Sequence, residues 1–170
     1  IVADTNPYGG NDPHVVAEAI RKNGLVREES LPFEKFTNPE DYYKPKPPDD
    51  KLKMEGESWL NQHDFKHEYV FDNRLPLKRK QEKLLEALQY SPLGVSVTAW
   101  KKKNGLYVKD FGEPDNHWCV MVAGERGKSW LIMDSYEDGD FLKELDWNYS
   151  FNYAKLYTLE KRTEKVCLIK

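Results

Sequence analysis

NHWCVMVAGERGKSWLIMDS, the stretch at residues 116–135, decides the fold of this chain. Two apolar runs within it, 117–123 and 128–134, are rich in β-branched and aromatic residues, which favour strands. The glycine-bounded segment 124–127 between them has the composition of a tight turn. The stretch therefore predicts a β-hairpin made of two antiparallel strands.

A histidine and an aspartate stand at the two ends of this hairpin that should meet. His117 opens the first strand and Asp134 closes the second. Antiparallel neighbours bring the start of one strand beside the end of the next. A carboxylate beside an imidazole fixes its tautomer, orients the ring and favours the imidazolium. Although a lone histidine at a strand end is usually structural, we expect a His117–Asp134 pair of the kind that serves a catalytic nucleophile.

Most helices come early along the chain, and strands dominate its second half. Helices are predicted at 13–23, 52–62 and 76–89, the first with Asp12 as its cap and Gly24 as its stop. Further strands are predicted at 67–71, 94–100, 105–109 and 153–159. This order of elements predicts an α+β fold.

The composition is that of a soluble globular chain. Its 170 residues are enough to bury a core. The net charge of −3 gives no cationic field, so nucleic acid is not an expected partner. No apolar run approaches the roughly 20 residues of a membrane helix, so a membrane is not expected either. The two cysteines, Cys119 and Cys167, form no disulfide framework and favour a cytoplasmic or virion-associated protein over a secreted one.

Four segments resemble the second half of the papain-like cysteine peptidases. In that family a Val-Ser-Val strand, a Gly-aromatic strand, an Asn/Asp-His strand and a Trp-hydrophobic-hydrophobic-x-Asn-Ser-Trp strand follow in this order. The corresponding segments here are SPLGVSVTAW (91–100), NGLYV (104–108), DNHWCVMVAG (115–124) and SWLIMDSY (129–136). Asp134 replaces the Asn of the family and Tyr136 replaces its Trp. The resemblance implies that Asp134 orients His117 and that Tyr136 shields their contact.

The N-terminal part is similar to the same family. GGNDPHVVAEAIRKNGLVREESLPF (9–33) resembles its Gly-Gly-x-Pro segment, the helix that follows, and the Tyr-Pro-Tyr stretch after that helix. The resemblance implies that this segment and the loop before the histidine hold an extended substrate. The residues concerned are Gly9, Gly10, Asn11, Pro13 and Asn116, with Thr98 beside Pro13 in a specificity pocket.

The fold implied by the resemblance is papain-like. It comprises a partial helical lobe packed against an antiparallel, β-barrel-like lobe, with a cleft between the lobes. We expect a single domain over 1–170, in which 1–50 are the remainder of the helical lobe, 51–64 an insertion and 65–170 mainly the β lobe.

The cysteine nucleophile of that family is missing from the sequence. The family carries it upstream of the histidine, where this chain has no cysteine. We therefore expect it in a segment preceding Ile1 or in a second chain, and expect this chain alone to be inactive. Cys119 should point into the interior beneath His117 as a small apolar residue. The implied activity is hydrolysis of peptide bonds in a peptide or protein substrate through a Cys-His-Asp arrangement, with no cofactor and no metal.

Two other functions stay open. A papain-like module that has lost its cysteine would be a catalytically inactive binding or structural protein, although a retained His–Asp pair argues against it. An acyl-transfer enzyme of the transglutaminase or amidase type would use the same Cys-His-Asp chemistry. The Gly-Gly-x-Pro segment favours the peptidase.

Overall fold

The computed structural model describes residues 11–32, 48–135 and 141–162. The chain divides into two compact units. The first consists of residues 1–66 and 158–170, and the second of residues 67–157. Among the described residues, no helix combines the length and apolar character that crossing a bilayer requires.

Helix α1, Pro13–Asn23, begins and ends where the sequence predicts. The Asp12 carboxylate accepts hydrogen bonds from the backbone amides of residues 14 and 15, at 2.7 and 3.2 Å. These bonds satisfy amides that have no partner inside the helix. Gly24 ends the helix with a φ of 74°, and its amide donates to the Ile20 carbonyl. The predicted cap and stop are both confirmed.

Helix α2, Asp50–Gln62, contacts α1 through two glycines. It begins two residues before the predicted start, with Asp49 accepting from the Leu52 amide at 2.8 Å. A Cβ atom added to Gly24 would lie 2.1 Å from the Gly56 carbonyl oxygen, and one added to Gly56 would lie 2.2 Å from the carbonyl oxygen of residue 23. The two backbones therefore touch at a point where no side chain fits.

The third helix, α3, belongs to the second unit and runs Leu77–Ala87. The sequence predicts a helix over 76–89, whereas Pro76 precedes the observed helix as its N-cap and the two final residues of the predicted range lie in a turn. Leu84 and Ala87 bury the apolar face of the helix. Lys80 and Gln81 are buried beside them, with their polar ends bonded to the Phe151 and Trp147 carbonyls.

In the part of the chain that the structure describes, eight strands form one sheet. They are β1 His63–Tyr69, β2 Leu93–Val97, β3 Lys102–Lys103, β4 Leu106–Tyr107, β5 His117–Glu125, β6 Ser129–Met133, β7 Leu142–Asp146 and β8 Ala154–Lys161. Their order across the sheet is β1-β8-β2-β5-β6-β7-β4-β3. The sheet is mostly antiparallel, and β4 pairs with β7 in parallel.

Within the described residues, the fold is therefore mixed, with three helices and an open sheet. The predicted hairpin is present as β5 and β6, joined by a turn centred on Gly127. The strand predicted at 67–71 occupies His63–Tyr69 instead, and the sequence did not predict β3 or β7. Because β1 and β3 are edges of the sheet, the barrel-like arrangement is not confirmed.

The core packs against the central strands of the sheet. Burial alternates along β6 and β7, as expected for strands with one face packed inward. All residues of β2 are buried, which is typical of a central strand covered on both faces. The fully buried side chains on β5, β6 and β7 include Met121, Trp130, Ile132, Lys143 and Leu145. A lysine among them marks the candidate site.

Candidate active site at the ends of three neighbouring strands

The register of the β5–β6 hairpin puts His117 and Cys119 of β5 on its core face. Val120 pairs with Met133 and Met121 with Ile132. Val120 is 42% exposed, whereas Met121 is fully buried. Because side chains alternate along a strand, residues 117, 119 and 121 share the buried face. Asp134 follows Met133 and therefore stands opposite Cys119.

Strand β7 adds a lysine to the same face. Ile132 pairs with Lys143 across β6 and β7. Asp134 is two residues beyond Ile132, so Asp134 and Lys143 are diagonal neighbours, within reach of a long side chain. The Asp134 amide donates to the Phe141 carbonyl at 2.9 Å, which continues the pairing past the end of β6.

His117 and Asp134 are in direct contact. Nε2 of His117 lies 2.5 Å from Oδ1 of Asp134. An ionised carboxylate can only accept a hydrogen bond, so Nε2 donates, which leaves Nδ1 as the basic nitrogen of the neutral ring. The Asp134 side chain is fully buried, while 11% of the His117 side chain is exposed. The contact expected from the hairpin is therefore present, with solvent access on the histidine side.

The second oxygen of Asp134 binds a buried ammonium group. Nζ of Lys143 lies 2.9 Å from Oδ2, and both side chains are fully buried. A buried carboxylate is costly unless it is paired, and the same is true of a buried ammonium. Each charge thus stabilises the other, and the pair together carries no net charge.

Two aromatic rings lie near the Lys143 ammonium, and one of them also contacts the histidine. The Lys143 ammonium lies 5.3 Å from the centre of the Trp100 ring and 5.8 Å from that of Tyr107. Both distances allow an attractive cation–π contact. Trp100 also meets the His117 ring edge-on, with the ring centres 6.0 Å apart. Trp100 therefore forms a wall that the imidazole and the lysine share.

Cys119 lies beneath the histidine, as its place in the strand predicts. Its Sγ is 3.6 Å from Oδ1 of Asp134, to which the thiol donates, and only 2% of the residue is exposed. Burial, followed by the charge of Asp134, raises the pKa of the Cys119 thiol far above its ordinary value. Since the thiolate is the reactive form, Cys119 is an inert thiol at neutral pH.

The same three side chains offer nitrogen, sulfur and oxygen ligand atoms. The ligand atoms of His117, Cys119 and Asp134 all lie within 4.8 Å of one another. A cation among them would share Asp134 with the Lys143 ammonium, which is 2.9 Å away. It would also have to displace the proton of a thiol whose pKa is raised. Both features favour a hydrogen-bonded cluster over a metal centre.

The loop before β5 is anchored to the end of β2. The Asn116 amide donates to the Val97 carbonyl at 3.0 Å, and its side-chain oxygen accepts from the Ala99 amide at 2.9 Å. Next to it, Asp115 accepts from the Ser96 hydroxyl at 2.5 Å and binds the Lys109 ammonium. These bonds fix where β5 begins and hence where His117 is held. Asn116 is exposed.

The other residues expected at the site belong to the first unit or fall outside the described part of the chain. Gly9, Gly10 and Tyr136 fall outside the described residues. Asn11 and Pro13 both belong to the first unit. Asn11 is exposed, and Pro13 is the first residue of α1. His117 and Asp134 belong to the second unit.

Lys143 and Trp100 are residues of the site that the sequence does not predict. The sequence predicts Trp100 at the end of a strand and predicts no strand around Lys143. The usable signal for Lys143 was its position two residues before Leu145, which alternation would put on the same buried face.

Comparison with known proteins gives no match, either to a protein-family model or to a curated protein sequence.

Proposed function

We propose that this chain supplies the acid–base part of a cysteine peptidase, with His117 as proton carrier and Asp134 as the group that orients it. The observation that carries the proposal is the 2.5 Å contact between Nε2 of His117 and Oδ1 of Asp134. It holds the ring in one tautomer and directs Nδ1 away from the carboxylate. A nucleophile with a base that is oriented by a third group needs this arrangement.

The chemistry would begin with a cysteine from a preceding segment or from a second chain. Its thiol gives its proton to Nδ1 of His117, and the thiolate attacks the carbonyl carbon of a peptide bond. When the tetrahedral intermediate collapses, the C–N bond breaks and the imidazolium protonates the leaving amine. Water then attacks the acyl-enzyme, giving one proton to His117, which passes it to the departing thiolate. The proton count on the imidazole is thus restored.

The substrate would be an extended peptide or an unfolded part of a protein. This part of the proposal depends on the papain-like resemblance, in which the segment around Gly9, Gly10, Asn11 and Pro13 holds the substrate backbone. Asn116, exposed and next to His117, is the described residue best placed to contact the substrate beside the reacting bond. No cofactor enters the reaction.

A catalytically inactive binding or structural module is the second candidate. The observation that favours it is the state of Cys119, whose thiol is buried and whose pKa is raised. Cys119 therefore cannot supply the thiolate, and the described residues contain no other cysteine. The acyl-transfer alternative shares the dyad with the peptidase and differs only in the acceptor of the acyl group.

The test is covalent labelling of the complete gene product with an epoxysuccinyl peptide, read by intact-protein mass spectrometry. The peptidase predicts one adduct, which forms rapidly at neutral pH and is lost in His117→Ala. His14→Ala, a variant of an exposed histidine in α1, should label like the parent protein. If no thiol is labelled, or if labelling is the same in His117→Ala, the binding module is the better account.

A further inference from the structure

A cavity of about 470 Å³ lies beside the β5–β6 turn, at the opposite end of β5 from His117. At about 3.3 Å per residue, the length of β5 puts it roughly 30 Å from the dyad. Its volume is within the range of small-molecule sites. The second unit supplies its walls from the start of α3, the β5–β6 turn and the segment after β7, and they include Lys78, Gln81, Arg126, Gly127 and Trp147.

Trp147 is a firmly held aromatic wall of this cavity. Its ring stacks on the fully buried Trp130 ring, with the ring centres 4.5 Å apart and the planes inclined by 14°. The Trp147 carbonyl accepts two hydrogen bonds, from Nε2 of Gln81 and from Nε1 of Trp130, each at 2.9 Å. Trp147 is only partly buried, so the part of its ring that Trp130 leaves uncovered is a fixed surface on which a second planar ring can stack.

Two cations from separate elements line the same cavity. Lys78 on α3 and Arg126 in the β5–β6 turn are both exposed, and neither side chain forms an ion pair with another described residue. The hydrogen bond from Arg79 lowers the pKa of Glu82, and the nearby charges of Lys78 and Arg126 lower it further. Because Glu82 already binds Arg79 at 2.8 Å, that pair is balanced. Lys78 and Arg126 therefore give this part of the surface a positive potential.

We infer that the cavity binds a small molecule in which a planar aromatic ring carries a phosphate or carboxylate group. The ring stacks on Trp147, and the anionic group lies between Lys78 and Arg126. An ammonium and a guanidinium group are both pure donors, which matches the acceptor oxygens of such an anion.

The combination of features points to this ligand, since each feature alone is ordinary. Two exposed cations by themselves are usually solvated. Here they come from two elements and meet at a cavity whose aromatic wall is held by three contacts. A single-stranded nucleic acid could also use stacking and positive charge. The net charge of −3 and the small volume of the cavity favour a small molecule over a polyanion.

The test is a titration of the full chain, followed by NMR at the indole N–H signal of Trp147. The probes are AMP, which carries a phosphate, and 2-naphthoate, which carries a carboxylate. Trp147→Phe assigns the signal among the five tryptophans. At least one probe should shift the signal and saturate, and the tighter of the two identifies the anionic group. Adenosine, 2-naphthamide and inorganic phosphate, which offer the ring or the charge alone, should bind at least about ten-fold more weakly.

Variants of the two cations separate this site from unspecific adsorption. Lys78→Met and Arg126→Met should each weaken binding of the probe by about five-fold or more. Lys83→Met, a variant of an exposed lysine further along α3, is the matched control and should bind like the parent protein. Trp147→Leu should weaken binding by about ten-fold or more. If Trp147→Leu fails to fold, the two cation variants still decide, because both residues are exposed and lie outside the core.

Three results would overturn the inference. They are the absence of a saturable shift with either probe, equal binding of the uncharged analogues, and parent-like binding in both Lys78→Met and Arg126→Met. The inference uses none of the residues of the dyad. A failed labelling experiment would therefore leave it untouched, and a failed titration would leave the peptidase proposal untouched.

Discussion

Cys119 stands directly opposite Asp134 across β5 and β6, and its thiol donates to the carboxylate at 3.6 Å. The strand that presents His117 therefore buries the only described cysteine two residues further on, under the same acid. A thiol in this place is held protonated by burial and by the neighbouring negative charge. Cys119 therefore lies beneath His117 and cannot act as the nucleophile.

Because the pKa of Cys119 is raised in the folded state, the free energy of unfolding should decrease as the pH rises above 9. Above the ordinary thiol pKa of 9.0, the unfolded chain loses the Cys119 proton while the folded chain keeps it. The unfolded state then binds fewer protons, so the free energy of unfolding should fall by up to about 1.4 kcal/mol per pH unit above pH 9. Urea titrations at pH 8, 9 and 10 measure this slope. The contribution of Cys119 to this slope should be absent in Cys119→Val. Equal slopes in the parent protein and the variant would contradict a raised pKa for Cys119.

Native Cys119 should also resist thiol reagents. In a Cys167→Ser background it is the single cysteine of the chain. Because only 2% of the residue is exposed, labelling with DTNB at pH 8 should require unfolding. The absorbance change should be near zero in buffer and complete in 6 M guanidinium. Rapid labelling in buffer would mean that the thiol is accessible.

The buried ion pair predicts a large difference between removing one charge and removing both. Lys143→Met alone leaves a buried carboxylate without its counter-ion and should destabilise the second unit by about 3–5 kcal/mol. The double variant Asp134→Asn/Lys143→Met should recover most of this loss. Lys128→Met, which removes an exposed ion pair with Glu125, should cost less than about 1 kcal/mol. Urea titration provides the comparison, and equal losses in the single and double variants would argue against the pairing.

Gly56 should be intolerant of alanine although it lies inside a helix. Replacing a helical glycine with alanine normally stabilises by up to about 1 kcal/mol. Here the added Cβ would lie 2.2 Å from the carbonyl oxygen of residue 23, so the helices must move apart. Gly56→Ala should therefore destabilise the first unit, whereas Glu57→Ala on the exposed side should not. Increased stability in Gly56→Ala would show that the backbones do not touch.

The sequence could predict the hairpin and its dyad because both depend on local rules. Alternation places His117 and Cys119 on one face, and antiparallel pairing brings Asp134 to them. Strand β7 escaped prediction because its inward positions hold Lys143 and Leu145, while Leu142 is 52% exposed. A hydrophobic pattern cannot anticipate a lysine whose burial is made possible by an acid on the next strand.

Strand β3 escaped prediction for another reason. It contains two residues, too few for a period-two pattern to be recognised. Strand β2 ends at Val97, so Trp100 lies beyond it and turns toward His117 and Lys143. The position of Trp100 in the site thus depends on where β2 ends, and sequence patterns locate strand ends poorly.

Hydrolysis of a peptide library by the complete gene product tests the central claim most directly. If His117 carries protons between a thiol and the substrate, His117→Ala should lower kcat/KM by at least about 100-fold while His14→Ala leaves it unchanged. Cleavage that persists at the parent rate in His117→Ala, or the absence of any cleaved peptide, would contradict a catalytic role for the imidazole held by Asp134.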